Sequence, residues 1–318
     1  MRVSVIIATY NYGRFIKEAV DSVFAQDWPE EDLELIVVDD GSTDDTAARL
    51  APFMGRIKYL HQENSGQAEA FNNGLKLSTG EIVCFLDADD SWKPEKLRKT
   101  CAAFAKAADI GMVQHFMLDV SPAGTAMTQK LENRQEFYSL ADFLEGLASF
   151  TGTSGLAFRR SFLEKLLPVP VELFYCADEY LYTAVLFYAR IYSINEVLGD
   201  KKIHGANWFA GTINDTKRLE NYIKVKTVIL ADLKARLAAA GIDIAETSAP
   251  LPLELTKIRV LYYSRIGDRK KALQVIRSEV LSGKVTKRRL FTAATLALGV
   301  LHPLIYTWLH AFYSRLRA

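Results

Sequence analysis

The 318-residue chain predicts an α/β fold, a mostly parallel Rossmann-like sheet flanked by helices and followed by a helical C-terminal extension. Three observations predict it. Through the first 110 residues, β-branched runs alternate with segments whose apolar residues recur at helical spacing. The connections between them are short, which implies parallel strands and right-handed crossovers. From Thr216 onward the pattern is mainly helical.

The elements follow in order. Val3–Ala8 is β-branched and bounded by the polar Thr9-Tyr10-Asn11, which marks a buried strand. Phe15, Ile16, Ala19, Val20 and Val23 then define a helix over about Gly13–Gln26. Leu33–Val38 is a second strand ended by Asp39-Asp40-Gly41-Ser42, and Ser42 or Thr43 can cap a short helix with Asp44 and Asp45 in its first turn. Ile57–Leu60 is a third strand, Gly66–Leu77 a helix stopped by Gly80, and Glu81–Leu86 a fourth strand running into Asp87-Ala88-Asp89-Asp90. Beyond residue 110, Met112–Met117, Leu156–Phe158 and Ile191–Val197 read as strands and Tyr180–Ala189 as an apolar helix. Lys224–Ala240 is an amphipathic helix, and Ala249-Pro250-Leu251-Pro252 reads as a linker between two helices. The domain boundaries expected are a catalytic domain over 1–213, in two halves (1–110 and 111–213), a helical extension over 214–283, and an apolar, basic tail over 284–318.

Bulk composition narrows the function. About half the residues are apolar, enough for a sizeable core, and the net charge of +1 argues against a general nucleic-acid binder. Cys84, Cys101 and Cys176 are too few and scattered for a disulfide framework or a zinc site, which suits a reducing cytoplasm. Met1–Thr9 lacks the long apolar region and cleavage site of a signal peptide.

The chemistry concentrates at strand ends. In an open parallel sheet, ligands bind beyond the carboxyl ends of the strands, so Asp39-Asp40 and Asp87-Asp89-Asp90 should converge on one crevice. Adjacent carboxylates repel, and a protein that gathers them commonly supplies a cation; oxygen ligands favour Mg²⁺ or Mn²⁺ bridging to diphosphate oxygens. A solvated acidic turn that caps the helix near Pro94 competes with this reading. A carboxylate of Asp39-Asp40 could accept the imide N–H of uracil or thymine; the bland alternative is a strand-to-helix turn.

Five segments in order, Val-Ser-Val-Ile-Ile-Ala-Thr-Tyr-Asn (3–11), Val-Val-Asp-Asp-Gly-Ser-Thr-Asp (37–44), Asn-Ser-Gly-Gln-Ala (64–68), Asn-Asn-Gly-Leu (72–75) and Phe-Leu-Asp-Ala-Asp-Asp (85–90), resemble the family-2 inverting glycosyltransferases of GT-A fold. The resemblance is strong over residues 1–100 and weaker to about 210. It implies a nucleoside pocket lined by Ala8, Thr9 and Tyr10, with Asp40 on the base and Gln67, Asn72, Asp87 and Ala88 on the rest of the donor. Asp89 would ligate the metal directly, with Asp87 beside it and His204 of Ile203-His204-Gly205 approaching the metal or diphosphate. The position matching the family's acceptor-side acid, after Thr151-Gly152-Thr153-Ser154-Gly155, is Asp178, with Glu179 as competitor. The chain departs from the pattern at Phe71-Asn72, where many relatives carry Arg before the Asn, and at Ala8, where Pro is frequent. By the same resemblance, Asp178 would take the proton of an acceptor hydroxyl while the cation stabilises the leaving nucleoside diphosphate. The local pattern alone also allows Asp178 to be a helix N-cap and His204 an ordinary loop residue.

Leu290–Ser314 contains no Asp, Glu, Lys or Arg and is flanked by Lys284, Lys287, Arg288, Arg289, Arg315 and Arg317. Leu304, Ile305, Trp308, Leu309, Phe312 and Leu316 recur at helical spacing, which fits a helix lying in a membrane interface. Packing on the domain, a homo-oligomer contact, and a true span interrupted by His302-Pro303 compete with it. The reading that joins these features is a cytoplasmic enzyme, peripheral on the inner face of the membrane, using a nucleotide-sugar donor and a glycan or lipid-linked acceptor. A non-catalytic nucleotide-sugar-binding or membrane-scaffold protein is the second reading. A dinucleotide-dependent dehydrogenase is disfavoured, because Thr9-Tyr10-Asn11-Tyr12-Gly13 stands where a Gly-x-Gly-x-x-Gly turn belongs.

Overall fold

The computed structural model describes residues 1–129, 131–205, 207, 215–280 and 287–301, in two compact units, Met1–Gly205 and Ala206–Ala318. The first unit opens with β1 (Val3–Thr9), α1 (Gly13–Phe24), β2 (Leu33–Asp39), α2 (Thr46–Leu50), β3 (Ile57–His61), α3 (Gln67–Leu77) and β4 (Ile82–Asp87). It continues with β5 (Ser91–Trp92), α4 (Lys96–Ala105), β6 (Ile110–Val120), β7 (Phe137–Tyr138), α5 (Leu140–Leu144), β8 (Leu156–Arg159), α6 (Arg160–Leu163), α7 (Ala177–Val185) and β9 (Arg190–Lys202).

The strands form one sheet in the order β3-β2-β1-β4-β8-β6-β9-β5, with β7 paired to β9. β3, β2, β1 and β4 are all parallel, as the short crossovers require. Parallel order ends at β4: β8 runs antiparallel to both β4 and β6, and β9 is parallel to β6. The sheet is therefore mixed. β5 and β7, two residues each, escape a sequence reading because a run that short has no period.

β1 is buried on both faces, which is why it reads as a continuous apolar run. Val3, Val5 and Ile7 share a core with Ile16, Val20 and Val23 of α1 and with Leu97 and Phe104 of α4. On the other face α3 lies close: a Cβ on Gly74 would stand 2.7 Å from Ile6 Cγ2. Phe71 of α3 packs there on Phe85, with ring centroids 4.3 Å apart, and Phe85 meets Phe158 of β8 edge-on at 5.9 Å. Burying each such ring contributes about 1.5–3 kcal/mol.

The second unit contains α8 (Thr216–Ala239), α9 (Pro250–Arg265), α10 (Arg269–Val275) and α11 (Lys287–Leu301). Asp215 caps α8 by accepting from the backbone N–H groups of Lys217 and Arg218. Val260, Ala272, Val275, Ile276, Leu296 and Val300 form its core. The expected linker at 249–252 is instead the first turn of α9, since Pro250 and Pro252 sit where a helix N–H has no intrahelical partner anyway. Among the described residues no helix is long and apolar enough to cross a membrane. The aromatic stripe expected over 304–316 lies outside the described residues.

At the amino ends of the parallel strands, Glu34 of β2 ties three elements together. Its buried carboxylate accepts from Ser4 Oγ of β1 at 2.5 Å, from Lys58 Nζ of β3 at 2.8 Å, and from the Thr79 and Gly80 backbone N–H groups that lead into β4. Burial pushes its pKa up, but the hydrogen bonds from Lys58, Ser4 and Thr79 outweigh it and hold the carboxyl at about 2. A carboxylate depressed on folding stabilises the fold above its unfolded pKa and loses that contribution as pH falls towards the folded value. Glu34→Gln is therefore expected to lose about 1–3 kcal/mol at pH 7. In urea titrations, the gap from wild type should stay constant above about pH 4.5 and shrink towards pH 2; a gap independent of pH would contradict this role.

Candidate active site

Two loops meet at the carboxyl end of the parallel strands. Asn11, after β1, adopts the left-handed region at φ 59°, which Asn tolerates better than most residues. Its Oδ1 accepts from the Thr43 N–H at 2.8 Å and from Asp44 N–H at 3.3 Å, while its own N–H donates to Ser42 Oγ at 2.9 Å. Asp44 returns the link by accepting from the Gly13 N–H at 2.9 Å. A Cβ on Gly13 would stand 2.9 Å from the Thr46 backbone nitrogen, so the loops touch through glycine. The Tyr-Asn and Gly-Ser-Thr-Asp segments of the sequence are thus the two halves of one hydrogen-bonded clasp.

That clasp frames the expected nucleoside pocket. Thr9 is buried beside Asp39 in register and Tyr10 is 45% exposed; Ala8 pairs with Val38 on one side and Asp87 on the other. The Thr9 hydroxyl is buried without a hydrogen-bond partner in the described structure. Asp40 accepts from Gln62 Nε2 at 2.7 Å and from the Ser65 and Gly66 N–H groups, each at 2.8 Å. Asp39 turns elsewhere, to the Ser42 N–H and the Tyr59 hydroxyl.

β4 ends in the acidic cluster. The Asp87 N–H donates to Ser154 Oγ at 3.0 Å, and that hydroxyl donates onward to Asp90 Oδ2 at 2.7 Å. Asp90 also accepts from the Lys202 N–H at 3.2 Å. Asp89 Oδ2 lies 3.0 Å from Nε2 of His204, a buried ring stacked on Phe15 at 4.5 Å. Asp178, in the first turn of α7, accepts from Thr153 Oγ1 at 3.1 Å. Neighbouring residues 153 and 154 therefore link the backbone at the end of β4 and the Asp90 carboxylate to Asp178. The charge of Asp178 is among those that raise Asp87, and Glu179 beside it is also buried.

Burial dominates the electrostatics. Asp87 is pushed well above the carboxylate range by desolvation and then by Asp90, Asp89 and Asp178, opposed by Lys201. Burial and Asp89 raise Asp90 to about 7 against Ser154, Lys201 and the Lys202 N–H. Asp178 is raised by desolvation, opposed by Thr153, the Glu179 N–H and Lys201. Burial, then Asp89, Asp87 and Asp90, also raise the Tyr12 phenol.

The structure places Ala8, Thr9 and Tyr10 at the carboxyl end of β1 beside Asp87 and Ala88 of the neighbouring β4 end, sets Asp89 against His204 and Asp178 within the field of Asp87, and puts Asp40 at the end of β2. The Gln67 and Asn72 side chains both bond the 169–177 segment. The Asn72 amide is buried and bonded at both ends to the Val169 backbone, at 2.9 Å each, and Gln67 Oε1 accepts from the Ala177 N–H at 2.9 Å. Sequence reasoning missed Tyr12, Lys201, Thr153 and Ser154 as members of the site. The small-residue run Thr151–Gly155 was the available signal: a Cβ on Gly155 would stand 2.9 Å from the His115 carbonyl oxygen.

A divalent cation fits this donor set. Among the described residues no three His, Cys, Asp or Glu side chains close into a metal-holding group. Mg²⁺ or Mn²⁺ in nucleotide enzymes, however, usually binds through one or two carboxylates and substrate phosphates. Asp89 and Asp87 supply hard oxygen at the place where like charges are most crowded.

A family model described as Glycosyl transferase family 2 matches residues 4–167. An uncharacterised glycosyltransferase of Nostoc sp. is 38% identical over 217 residues, covering 65% of this chain and 66% of that protein, just under two thirds of its length. Among solved structures, S. aureus TarS 1–349 in complex with UDP-GlcNAc aligns with a TM-score of 0.58 at 19% identity, over 94% of this chain and 91% of that one. A mannosyltransferase from Pyrobaculum calidifontis, in complex with GDP-Man and Mn²⁺, aligns at 0.57 and 21% identity, over 96% and 82%. At these identities the likeness establishes a shared GT-A fold.

Ser154→Ala removes the acceptor of the Asp87 N–H and a donor to buried Asp90 at once. The expected cost is about 1–3 kcal/mol in urea unfolding at pH 7. An unchanged unfolding midpoint would show that the bridge contributes nothing to the site's cohesion.

Proposed function

The chain belongs to glycosyl transferase family 2, and from that premise we propose an inverting transfer from a nucleotide-diphosphate sugar to an acceptor hydroxyl. UDP or dTDP is the favoured nucleotide, and a lipid-linked or polysaccharide intermediate of cell-envelope assembly the favoured acceptor. The observation that carries this reading is that the end of β4, with Asp87 and Asp90, and Asp178 of α7 are held to the adjacent residues Ser154 and Thr153, with Asp87 and Asp178 close enough for their charges to repel. Such a pairing puts a donor-phosphate site and a general base on opposite sides of one short segment.

Asp40 would accept the imide N–H of the base, and Ala8, Thr9 and Tyr10 would wall the nucleoside. Asp89, with Asp87 and His204 behind it, would hold the divalent cation, which when bound stabilises the charge gathering on the leaving diphosphate. The bound UDP-GlcNAc of TarS and the Mn²⁺ of the mannosyltransferase support this choice of ligands. The acceptor hydroxyl is a poor nucleophile, and Asp178 would take its proton as the new C–O bond forms. Burial raises Asp178, which strengthens it as a base. Attack opposite the leaving group inverts the anomeric centre.

The acceptor reading draws on charge. The first 205 residues hold 30 Asp and Glu against 20 Lys and Arg, whereas residues 255–318 hold 13 Lys and Arg against 2 acids. In that basic stretch Ile266, in the turn after α9, and Leu273, on α10, are exposed, 49% and 47%, as are the nearby Arg269, Lys270 and Arg277. Exposed basic and apolar residues close together in the chain suit an anionic bilayer surface, to which a lipid-linked acceptor would be confined. Peripheral membrane contact through this region and through 284–318, on the cytoplasmic face, completes the proposal; self-association through the same tail is its competitor.

The expected outcome in a thermal-shift screen is stabilisation by UDP or dTDP that depends on Mn²⁺ and is lost in Asp89→Ala; at about 100 times the dissociation constant it amounts to roughly 2.7 kcal/mol. Asp178→Asn should keep that shift and lose about 10²–10⁴-fold in transfer. No shift with any nucleotide in folded protein would favour the non-catalytic reading. In flotation assays the full chain should rise with anionic vesicles, weakly with neutral ones, and less in high salt; equal behaviour with both vesicles would contradict a charge-guided contact.

A further inference from the structure

The first turn of α7 needs a partner from outside itself. Cys176, the residue before it, lies in the left-handed region at φ 58° and offers no side-chain cap. The Ala177 N–H, one of the donors that every helix start leaves without an intrahelical acceptor, is met by Gln67 Oε1 at 2.9 Å. Gln67 comes from the start of α3, 110 residues earlier in the chain, so α7 is capped in trans. The Gln67 backbone N–H makes a second bond to the same segment, to the Phe174 carbonyl at 3.0 Å.

The residues just before Gln67 belong to the other side of the crevice. Ser65 and Gly66 donate both their N–H groups to Asp40, the residue proposed to read the base. Gly66, at φ +87°, lies so close to the 174 segment that a Cβ would stand 2.6 Å from the Phe174 ring and 2.8 Å from its Cα. Three consecutive residues therefore bind the carboxylate at the nucleoside end and the helix that presents Asp178. Asn72, further along α3, holds Val169 by both ends of its amide. The 169–177 segment is thus fastened to α3 at both ends.

Resting on the reading of Asp178 as the base, we propose that Gln67 is a positioning residue: it sets Asp178 by capping α7. An ordinary packing contact would cost stability without regard to Asp178. A positioning contact acts on the chemical step and has no further effect once Asp178 is gone.

The test uses the full-length chain with Gln67→Met, which keeps length but loses the acceptor, and Gln67→Glu, which keeps an acceptor oxygen, each with and without Asp178→Asn. Hydrogen exchange at the Ala177–Tyr180 amides is expected to speed up by about tenfold or more in Gln67→Met and to recover in Gln67→Glu. On the sugar nucleotide that wild type turns over fastest among UDP, dTDP and GDP sugars, Gln67→Met should lower kcat by about 10–100-fold with donor KM nearly unchanged. In the Asp178→Asn background it should add no further loss. Unchanged exchange at α7, or losses that multiply with Asp178→Asn, would overturn the positioning role. Wild-type turnover in Asp178→Asn alone would instead overturn the base reading, and the exchange result would still judge the Gln67 cap.

Discussion

Four carboxylates, Asp87, Asp89, Asp90 and Asp178, are brought within each other's field in a buried crevice, and that crowding constrains everything around it. Removing one carboxylate from water is costly, and grouping several raises the cost unless protons or cations intervene. The protein meets part of it with neutral donors: Ser154, Thr153 and the Lys202 N–H each supply a hydrogen bond to the group. Lys201 opposes the repulsion at Asp87, Asp90 and Asp178. A fold built only for stability would place apolar residues here. On the proposed reading, the carboxylates would be half of a site whose other half, a cation and a diphosphate, arrives with the substrate.

The sheet is what makes the crowding possible. Parallel strands β1, β2 and β4 point their carboxyl ends the same way, so Thr9 faces Asp39 and Ala8 faces Asp87 along one edge of the sheet. At β8 the order turns antiparallel, and the 153–155 turn that precedes β8 arrives at the same edge from the other half of the unit. α3 then crosses behind both halves, through Asn72 to Val169 and Gln67 to Ala177. The two halves of the unit are joined there by side-chain-to-backbone hydrogen bonds, not only by proximity.

Much of the donor side was legible in the sequence for a physical reason. Strands buried on both faces read as unbroken β-branched runs, and the acidic residues that end them cannot belong to the core. The second half of the unit was less legible because its site members are defined by distant partners. Ser154 looks like any small polar residue until Asp87 and Asp90 are beside it, and Lys201 has no local pattern to mark it. Gln67 and Asn72 bond the backbone of residues 169–177, about 100 residues away in the chain, a link that no local pattern marks. At Pro250 and Pro252 the same two prolines that suggest a linker suit a helix start, a choice the local sequence leaves open.

A crystal structure of the full chain with a UDP-sugar and Mn²⁺ tests the central claim, one crevice shared by nucleotide, cation and base, most directly. The expected result is a base on Asp40, the metal on Asp89 bridging to the diphosphate, and the Asp178 carboxylate facing the anomeric carbon from the side opposite the leaving group. Nucleotide bound away from the ends of β1, β2 and β4, or Asp178 turned away from the sugar, would contradict it.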